Sequence, residues 1–301
     1  MTNPVIFISD PTTKDYTTFL TTLLPRLANA SSLDIVILTP ITQSHHLNAV
    51  LFKYYQLVSS FVESHPAEFD YRFATGLNVL FNLAPDKITQ LSSRWNHAYA
   101  AEAITVPVAV PTPLTQLTTE IPETPIIEVP ATSRDLAEFR TCAVGGTFDH
   151  LHLGHKILLS MSLFLASRKL IVGITGPELL KNKKYLAVLE PYAVRQAEVL
   201  KFVLLIHPGG GMGVEVYEIN DVCGPTGYVS DIDCLVISDE TRAGGEFVNK
   251  YRREQGFREL DILSIKVIGD ADSSSDNSWK GKLSSTDIRE REYKRLHPDN
   301  I

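Results

Sequence analysis

The sequence predicts an α/β protein of two units, with a parallel sheet in the C-terminal one. Apolar runs of strand length alternate with helix-length segments through residues 136–301, and this alternation is typical of a parallel sheet covered by helices on both faces. A stretch between about Thr105 and Thr132 holds six prolines and neither lysine nor arginine. Because proline removes backbone donors and disfavours helix in the preceding residue, this stretch marks a boundary between the units.

Composition excludes several classes of protein. The chain of 301 residues has 28 lysines and arginines against 35 aspartates and glutamates, a formal net charge of −7. This acidic balance argues against general binding to nucleic acid or to anionic membranes. No apolar run reaches the roughly 18–20 residues that cross a bilayer, and the first ten residues lack the features of a signal peptide. Cys142, Cys223 and Cys234 are an odd, widely spaced set, so we expect a cytoplasmic protein with no metal centre and no disulfide framework.

The N-terminal unit is predicted over residues 1–104. Val5–Ser9 and Leu33–Leu38 are apolar, β-branched runs of strand length, and helix-spaced apolar residues occupy Tyr16–Ala28 and Leu47–Val62. None of these residues forms a motif with recognisable chemistry, which leaves the role of this unit open. Residues 105–135 are predicted to be a proline-rich linker.

The C-terminal unit is predicted over residues 136–301, with five strands and four helices. Sheets of this kind bind ligands beyond the carboxyl ends of their strands, where the strand order reverses. The turn after the first strand is therefore the first place to look for chemistry. The strands are predicted at Thr141–Gly145, Leu170–Ile174, Val214–Ile219, Cys234–Ser238 and Ile262–Ile268, and the helices at Gly154–Ser167, Pro191–Leu205, Gly245–Gln255 and Thr286–Leu296.

The turn after that first strand reads GGTFDHLHLGH, residues 145–155, and leads into a helix. Its glycines let the backbone approach a ligand where a side chain would clash. His152 and His155 are three residues apart, so they share one face of the first helical turn. The free N–H groups and positive dipole end of a helix N-terminus favour phosphate, and imidazoles beside them can donate further hydrogen bonds.

A second motif, KLSSTDIR, occupies residues 282–289 at the start of the last predicted helix. Its serines and threonine can cap the helix and leave other N–H groups free to hold phosphates. Arg289 follows one turn later and can add a delocalised positive charge. The two motifs therefore predict phosphate binding at both ends of one α/β unit.

These motifs resemble the signatures of the nucleotidylyltransferase superfamily. GGTFDHLHLGH resembles its HxGH motif, and KLSSTDIR resembles its (I/L)SSTxxR element. Two further segments are similar to phosphopantetheine adenylyltransferases of the eukaryotic and archaeal type. One is VISDET at residues 236–241 with Gly244, Gly245, Asn249 and Arg252; the other is LLKNK at residues 179–183 with Glu190, Pro191 and Arg195. The likeness covers roughly residues 142–296 and implies a Rossmann-like nucleotidylyltransferase domain preceded by a smaller α/β domain.

The resemblance implies adenylyl transfer from ATP to 4′-phosphopantetheine, which gives dephospho-CoA and pyrophosphate in coenzyme A biosynthesis. It implies that Mg²⁺ arrives with ATP rather than in a cage of carboxylates. His155 and Lys183 would stabilise charge on the α-phosphoryl group, and Gly146, Thr147 and Phe148 would contact the reacting phosphates. His152, Ser284, Ser285 and Thr286 would hold the phosphates of ATP, supported by Arg289, and Asn249 and Arg252 would be further ATP contacts.

Two alternatives stay open. The chain could be another HxGH enzyme, a cytidylyltransferase or a nicotinamide-mononucleotide adenylyltransferase, although the RTxGISTS-type string of cytidylyltransferases is absent. It could also be a scaffold for other coenzyme A enzymes, against which its intact motifs weigh. The pattern favours Lys183 over Lys181 and Lys184 as the phosphate-binding lysine. A contact between Arg242 and ATP is left open.

Overall fold

The structure is a computed structural model, which describes residues 2–101, 104–106, 113–125, 128–207, 209, 211–266 and 284–297. The chain divides into two compact units. Unit 1 comprises Met1–Arg134 with Leu205–Gly210, and unit 2 comprises Asp135–Leu204 with Gly211–Ile301. Within the described ranges, no helix has both the length and the apolar character needed to span a membrane.

Unit 1 is built on a five-stranded parallel sheet whose strand order is β3-β2-β1-β4-β5. The strands and helices predicted near its start are confirmed, with the second half of the first predicted helix forming a 3₁₀ turn at Leu24–Leu27. The strands are β1 Pro4–Ile8, β2 Leu33–Ile37, β3 Leu77–Leu80, β4 His97–Ala101 and β5 Leu114–Leu117; the helices are α1 Thr17–Leu23, α2 Ser44–Ser64, α3 Tyr71–Thr75 and α4 Pro85–Leu91.

Part of the segment predicted as a linker belongs to this sheet. β5 lies within residues 105–135 and pairs with β4 in parallel, and Glu123 forms an isolated bridge with Lys14. Prolines lie on either side of β5 but not inside it, so its ladder donors are intact. Its residues alternate between half-buried and exposed, as expected of a polar edge strand. Because the strand is not an apolar run, the sequence pattern did not predict it. The domain boundaries of the remaining segment stay a prediction.

Unit 2 contains a second five-stranded parallel sheet, in the order β10-β9-β6-β7-β8. The parallel sheet predicted from its apolar runs is confirmed, and helix α7 begins three residues earlier than predicted because a 3₁₀ turn at Asp239–Thr241 leads into it. Residues 267 and 268 of the last predicted strand lie outside the described residues. The strands are β6 Phe139–Gly146, β7 Ala166–Thr175, β8 Gly213–Ile219, β9 Cys234–Ser238 and β10 Asp261–Ile265; the helices are α5 Leu153–Leu165, α6 Tyr192–Ile206, α7 Arg242–Glu254 and α8 Ser285–Leu296.

The two sheets share one strand order when each is numbered along its own unit, 3-2-1-4-5. In unit 2 the first strand, β6, is central, with β7 on one side and β9 on the other. The order reverses beside β6, so the carboxyl ends of β6 and its neighbours form the edge where such a sheet binds ligands. Apolar side chains from the sheet and α7, among them Ala143, Ile171, Leu235, Ile237 and Val248, pack into the core beneath this edge.

Candidate active site

The turn after β6 is held in an unusual backbone shape. Phe148 and His150 have φ values of 50° and 46°, in the left-handed region that most residues avoid. The Phe148 ring is fully buried; it lies 5.2 Å from the His155 ring between centroids. A Cβ atom on Gly146 would come within 3.1 Å of that ring. Phe148 thus supports the turn from below with its side chain, and only its backbone is left to contact a phosphate.

His152 begins helix α5 as its N-cap. Its Nδ1 accepts a hydrogen bond from the Gly154 N–H at 3.2 Å, so the proton of the neutral ring lies on Nε2. That Nε2 lies 3.2 Å from the Ser285 hydroxyl, which in turn donates to the Asp149 carbonyl at 3.0 Å. The hydrogen bonds joining His152, Ser285 and Asp149 therefore bring the starts of α5 and α8 together.

Both histidines of the HxGH motif are neutral at pH 7. Burial lowers the pKa of His152 to about 4. Burial also holds the pKa of His155 well below its usual value, with further lowering from His152 and from the positive charge of Lys183. The two rings stack with centroids 3.8 Å apart. Within the described residues, Nδ1 of His155 is buried and has no hydrogen-bond partner, which makes it an open polar position in the site.

An ion pair between Asp149 and Arg289 joins the two motifs. Arg289 Nη1 donates to Asp149 Oδ2 at 2.5 Å, and the same guanidinium donates to the Lys184 carbonyl and to the Thr286 hydroxyl. The other oxygen of Asp149 accepts from the Glu190 N–H at 2.8 Å. Arg289 is 2 % exposed and Asp149 is fully buried. These contacts fix α8 against the HxGH turn, and the predicted support of the ATP phosphates by Arg289 stays a prediction.

The start of α8 is a capping box. Ser284 Oγ accepts from the Asp287 N–H at 3.3 Å, and the Ser284 N–H donates to Asp287 Oδ2 at 2.9 Å. These bonds use the Ser284 hydroxyl, and Ser285 and Thr286 are engaged as described above. These hydroxyls therefore fix the helix start, as the predicted capping role requires. Backbone N–H groups of the first turn are left as donors, and their contact with phosphates stays a prediction. Lys282 and Leu283 of the motif lie outside the described residues.

The three lysines of the loop after β7 differ in their surroundings. Lys181 forms an ion pair with Glu178 at 2.6 Å. Lys183 is exposed and its charge acts on His155; in the described part of the chain it makes no ion pair. The Lys184 carbonyl accepts from Arg289. These surroundings favour Lys183 as the phosphate-binding lysine, which stays a prediction.

Asn249 and Arg252 support loops beside α7. Arg252 is fully buried and donates to the carbonyls of Thr226, Val229, Ser230 and Arg258 at 2.6–3.0 Å. The Asn249 amide exchanges two hydrogen bonds of 2.9 Å with the backbone of Leu260. Their predicted contact with ATP stays a prediction. Arg242 lies at the surface in an ion pair with Asp239.

Two residues of the site were missed as functional candidates. Asp149 lies inside the first motif but was assigned no role. Arg195 is 1 % exposed and donates to the carbonyls of Thr147 and Glu190 at 2.7 and 3.0 Å, so it fixes the turn from its other side. The sequence contains both residues, the aspartate of GGTFD and the arginine five residues after Glu190. It does not show that both lie at the same turn, because that depends on how the chain folds.

An apolar cavity of about 50 Å³ lies on the α7 face of the sheet, below the same edge. Strands β6 and β7 contribute glycines to it, and a Cβ atom on Gly173 would come within 3.1 Å of Ile219. A side chain at this glycine would therefore crowd the cavity wall. The lining includes Gly145, Gly173, Ile219, Val222, Cys223 and Val248.

Comparison with known proteins agrees with this geometry. A cytidylyltransferase-like family model matches residues 143–291, which agrees with the nucleotidyltransferase-type fold of unit 2. The chain is 49 % identical to the phosphopantetheine adenylyltransferase of Saccharomyces cerevisiae over 156 residues, 52 % of this chain and 50 % of that one. It is 37 % identical to the phosphopantetheine adenylyltransferases of Thermococcus gammatolerans and Thermococcus kodakarensis, over 43 % and 46 % of this chain and 79 % and 84 % of theirs. The chain belongs to the phosphopantetheine adenylyltransferase family, as its motifs predicted. Its match spans about half the length of the yeast relative.

Proposed function

We propose that the protein transfers the adenylyl group of ATP to 4′-phosphopantetheine, giving dephospho-CoA and pyrophosphate. The observation that carries the proposal is the meeting of two helix N-termini at the His152–Ser285 hydrogen bond, beside the open Nδ1 of His155. Each N-terminus offers N–H groups and a positive dipole end to phosphate oxygens. Two such ends at one edge suit a triphosphate and a phosphorylated acceptor together.

The reaction forms one bond and breaks one. An oxygen of the 4′-phosphate attacks the α-phosphorus of ATP, and the bond from that phosphorus to the bridging oxygen breaks as pyrophosphate leaves with the electron pair. The attacking phosphate is already ionised at pH 7, so no general base is required. Catalysis then consists of holding the two phosphates in line and stabilising charge on the α-phosphoryl oxygens.

We assign that stabilisation to His155 and Lys183. The neutral His155 ring can donate one hydrogen bond, and the unpaired Lys183 can move to the phosphoryl oxygens because its amino group is exposed. Gly146 and the backbone of Thr147 and Phe148 would contact the acceptor phosphate. The backbone N–H groups of Ser285 and Thr286, in the first turn of α8, would hold the β- and γ-phosphates together with His152, and Ser284 would keep that turn in place as its N-cap.

Mg²⁺ is proposed to enter this site together with ATP. In the part of the chain that the structure describes, no three histidine, cysteine, aspartate or glutamate side chains come together to hold a metal ion. Mg²⁺ would therefore take phosphate oxygens and water as ligands, in keeping with its preference for nucleotide phosphates over protein cages. When bound it would neutralise charge on the triphosphate.

The apolar cavity of about 50 Å³ could take one small apolar group of the other substrate. 4′-Phosphopantetheine carries two methyl groups close to its phosphate, and burying apolar surface favours binding by about 25 cal/mol per Å². Gly145 and Gly173, near the carboxyl ends of β6 and β7, are in the cavity lining. We also propose that the enzyme acts in the cytoplasm. Assembly with other enzymes of coenzyme A synthesis is a further part of the proposal.

Pyrophosphate release tests the proposal. The full chain is given ATP and Mg²⁺ with 4′-phosphopantetheine, phosphocholine or nicotinamide mononucleotide, and product identity is confirmed by mass spectrometry. Of the three acceptors, we expect turnover only with 4′-phosphopantetheine. Turnover with phosphocholine or nicotinamide mononucleotide, or no turnover with any of the three acceptors, would contradict the proposal.

A further inference from the structure

Unit 2 holds a buried hydroxyl that the mechanism above does not use. Among the described residues of this unit, three buried polar side-chain atoms have no hydrogen-bond partner: Nδ1 of His155, Oγ of Ser160 and Oγ1 of Thr175. Proteins rarely leave such groups unpaired, because burying them away from water is unfavourable. The proposed reaction gives His155 a partner, but the Thr175 hydroxyl is left without one.

Thr175 lies on a strand that contributes to the wall of the apolar cavity, two residues beyond the lining residue Gly173. It is the last residue of β7 and pairs with Ile219 of β8. Alternate residues of a strand share one face of the sheet, and Ile171, Gly173 and Ile219 all line the cavity. The Thr175 side chain therefore continues the same row, one step nearer to the carboxyl edge than Gly173.

The same position is close to the phosphate end of the site. Gly146 pairs with Ile174, so Thr175 is level with the start of the turn that carries the HxGH motif. A ligand with its phosphate at the histidines and an apolar group in the cavity must pass over this point. The position of Thr175 between the cavity wall and the HxGH turn makes its unpaired hydroxyl a candidate partner for the part of such a ligand that follows the phosphate.

We propose that Thr175 is a binding residue for the acceptor, and that its hydroxyl pairs with a polar group a few bonds from the acceptor's phosphate. This inference rests on the proposed function. In 4′-phosphopantetheine a secondary hydroxyl and an amide follow the phosphate, and either can pair with a threonine hydroxyl. Thr175 selects an acceptor that has such a group, and it makes no contact with ATP.

Two substitutions separate this role from a structural one. Thr175→Val keeps the shape of the side chain and removes the hydroxyl, whereas Thr175→Ser keeps the hydroxyl. We expect Thr175→Val to raise the KM for 4′-phosphopantetheine about 3- to 10-fold, the range for one lost hydrogen bond, with the KM for ATP unchanged. We expect Thr175→Ser to stay within about twofold of the unsubstituted protein. The Tm of ligand-free Thr175→Val should be equal or higher, because an unpaired buried hydroxyl has been removed.

Ser160→Ala is the matched control. It removes another unpaired buried hydroxyl, in the middle of α5, so it tests the effect on Tm without a change at the carboxyl edge. An unchanged KM for 4′-phosphopantetheine in Thr175→Val, an equal rise in the KM for ATP, or the same defect in Thr175→Ser would each overturn the inference.

Calorimetry with 4′-phosphopantetheine alone separates this inference from the proposed function. If the unsubstituted protein binds the acceptor, Thr175→Val binds it more weakly and no pyrophosphate is released with ATP, the proposed reaction fails and the role of Thr175 stands. If pyrophosphate is released and Thr175→Val binds the acceptor normally, the proposed reaction stands and the role of Thr175 fails. No binding of the acceptor by the unsubstituted protein would overturn both.

Discussion

Arg289 and Asp149 are 140 residues apart in the chain, and their side chains meet at 2.5 Å in the interior of unit 2. The pair connects the HxGH turn to helix α8, because Asp149 is in the turn and Arg289 is in the second turn of the helix. Removing one partner of a buried ion pair leaves an uncompensated charge and typically costs about 3–5 kcal/mol. The geometry of the site therefore depends on two residues that need not touch a substrate.

We expect Asp149→Asn to lower the free energy of unfolding by about 3–5 kcal/mol. Urea unfolding at pH 7 would measure the change. The double variant Asp149→Asn with Arg289→Met should lose less than the sum of the two single losses, since the second change removes the unpaired charge. Arg253→Met breaks the exposed pair with Glu259 and should change stability by at most about 1 kcal/mol. Additive losses in the double variant would show that the two residues are not coupled.

We expect His155→Ala to leave the fold intact and to lower kcat by about 10²–10³, the usual loss for one preorganised donor to a developing charge. Steady-state pyrophosphate release and the Tm would be measured together. His65→Ala, at the end of α2, serves as a histidine control outside the site and should keep kcat. A folded His155→Ala protein with normal turnover would remove His155 from the mechanism.

The lysine loop gives a paired comparison. We expect Lys183→Ala to weaken use of 4′-phosphopantetheine more than binding of ATP, because its free charge lies on the side of His155. Lys181→Ala should have little effect, since that lysine is already paired with Glu178. The measurement is kcat/KM for each substrate in both variants. Equal losses would mean that the loop acts through its total charge.

His152 makes stability depend on pH. Its pKa is about 4 in the folded protein against an ordinary value of 6.5, so between these values the unfolded chain binds more protons. The contribution of the neutral His152 ring to the free energy of unfolding is therefore fully present above pH 6.5. It is lost as the pH drops towards 4, by on the order of 3 kcal/mol. His152→Asn keeps an N-cap acceptor and does not titrate. Denaturant unfolding at pH 7 and pH 4.5 should show a smaller loss in His152→Asn than in the unsubstituted protein; equal losses would assign the dependence to other groups.

The predicted boundary near Thr132 is tested by a fragment that starts there. Such a fragment contains the whole sheet of unit 2 and both motifs, and its length of about 170 residues is enough for an independent core. We expect it to unfold cooperatively and to release pyrophosphate with the full chain's substrates. An aggregated fragment would show that residues before Thr132 are needed to fold the catalytic unit.

Local patterns predicted the sheets well and the site only in part. Strands such as Cys234–Ser238 are continuous apolar runs, so a few consecutive residues are enough to predict them. β5 is polar and at an edge, so only its pairing with β4 reveals it. Arg252 was predicted as an ATP contact from the family resemblance, and Arg289 from its place one turn after the predicted helix cap. Whether the partner of such an arginine is a substrate, a backbone carbonyl or Asp149 depends on contacts between distant parts of the chain, which no local pattern contains.

The separation between the HxGH turn and α8 has a consequence for synthesis. Ser285 contacts the Asp149 carbonyl across 136 residues, so a growing chain exposes the turn long before the helix that completes it leaves the ribosome. Closing so long a loop adds to the entropic barrier, and contacts of this kind slow folding. A nascent chain consequently holds the HxGH histidines without the hydrogen bond from Ser285 and the ion pair with Arg289 that fix the turn to α8. If ATP binds there as proposed, it can stabilise the fold only once α8 has been made.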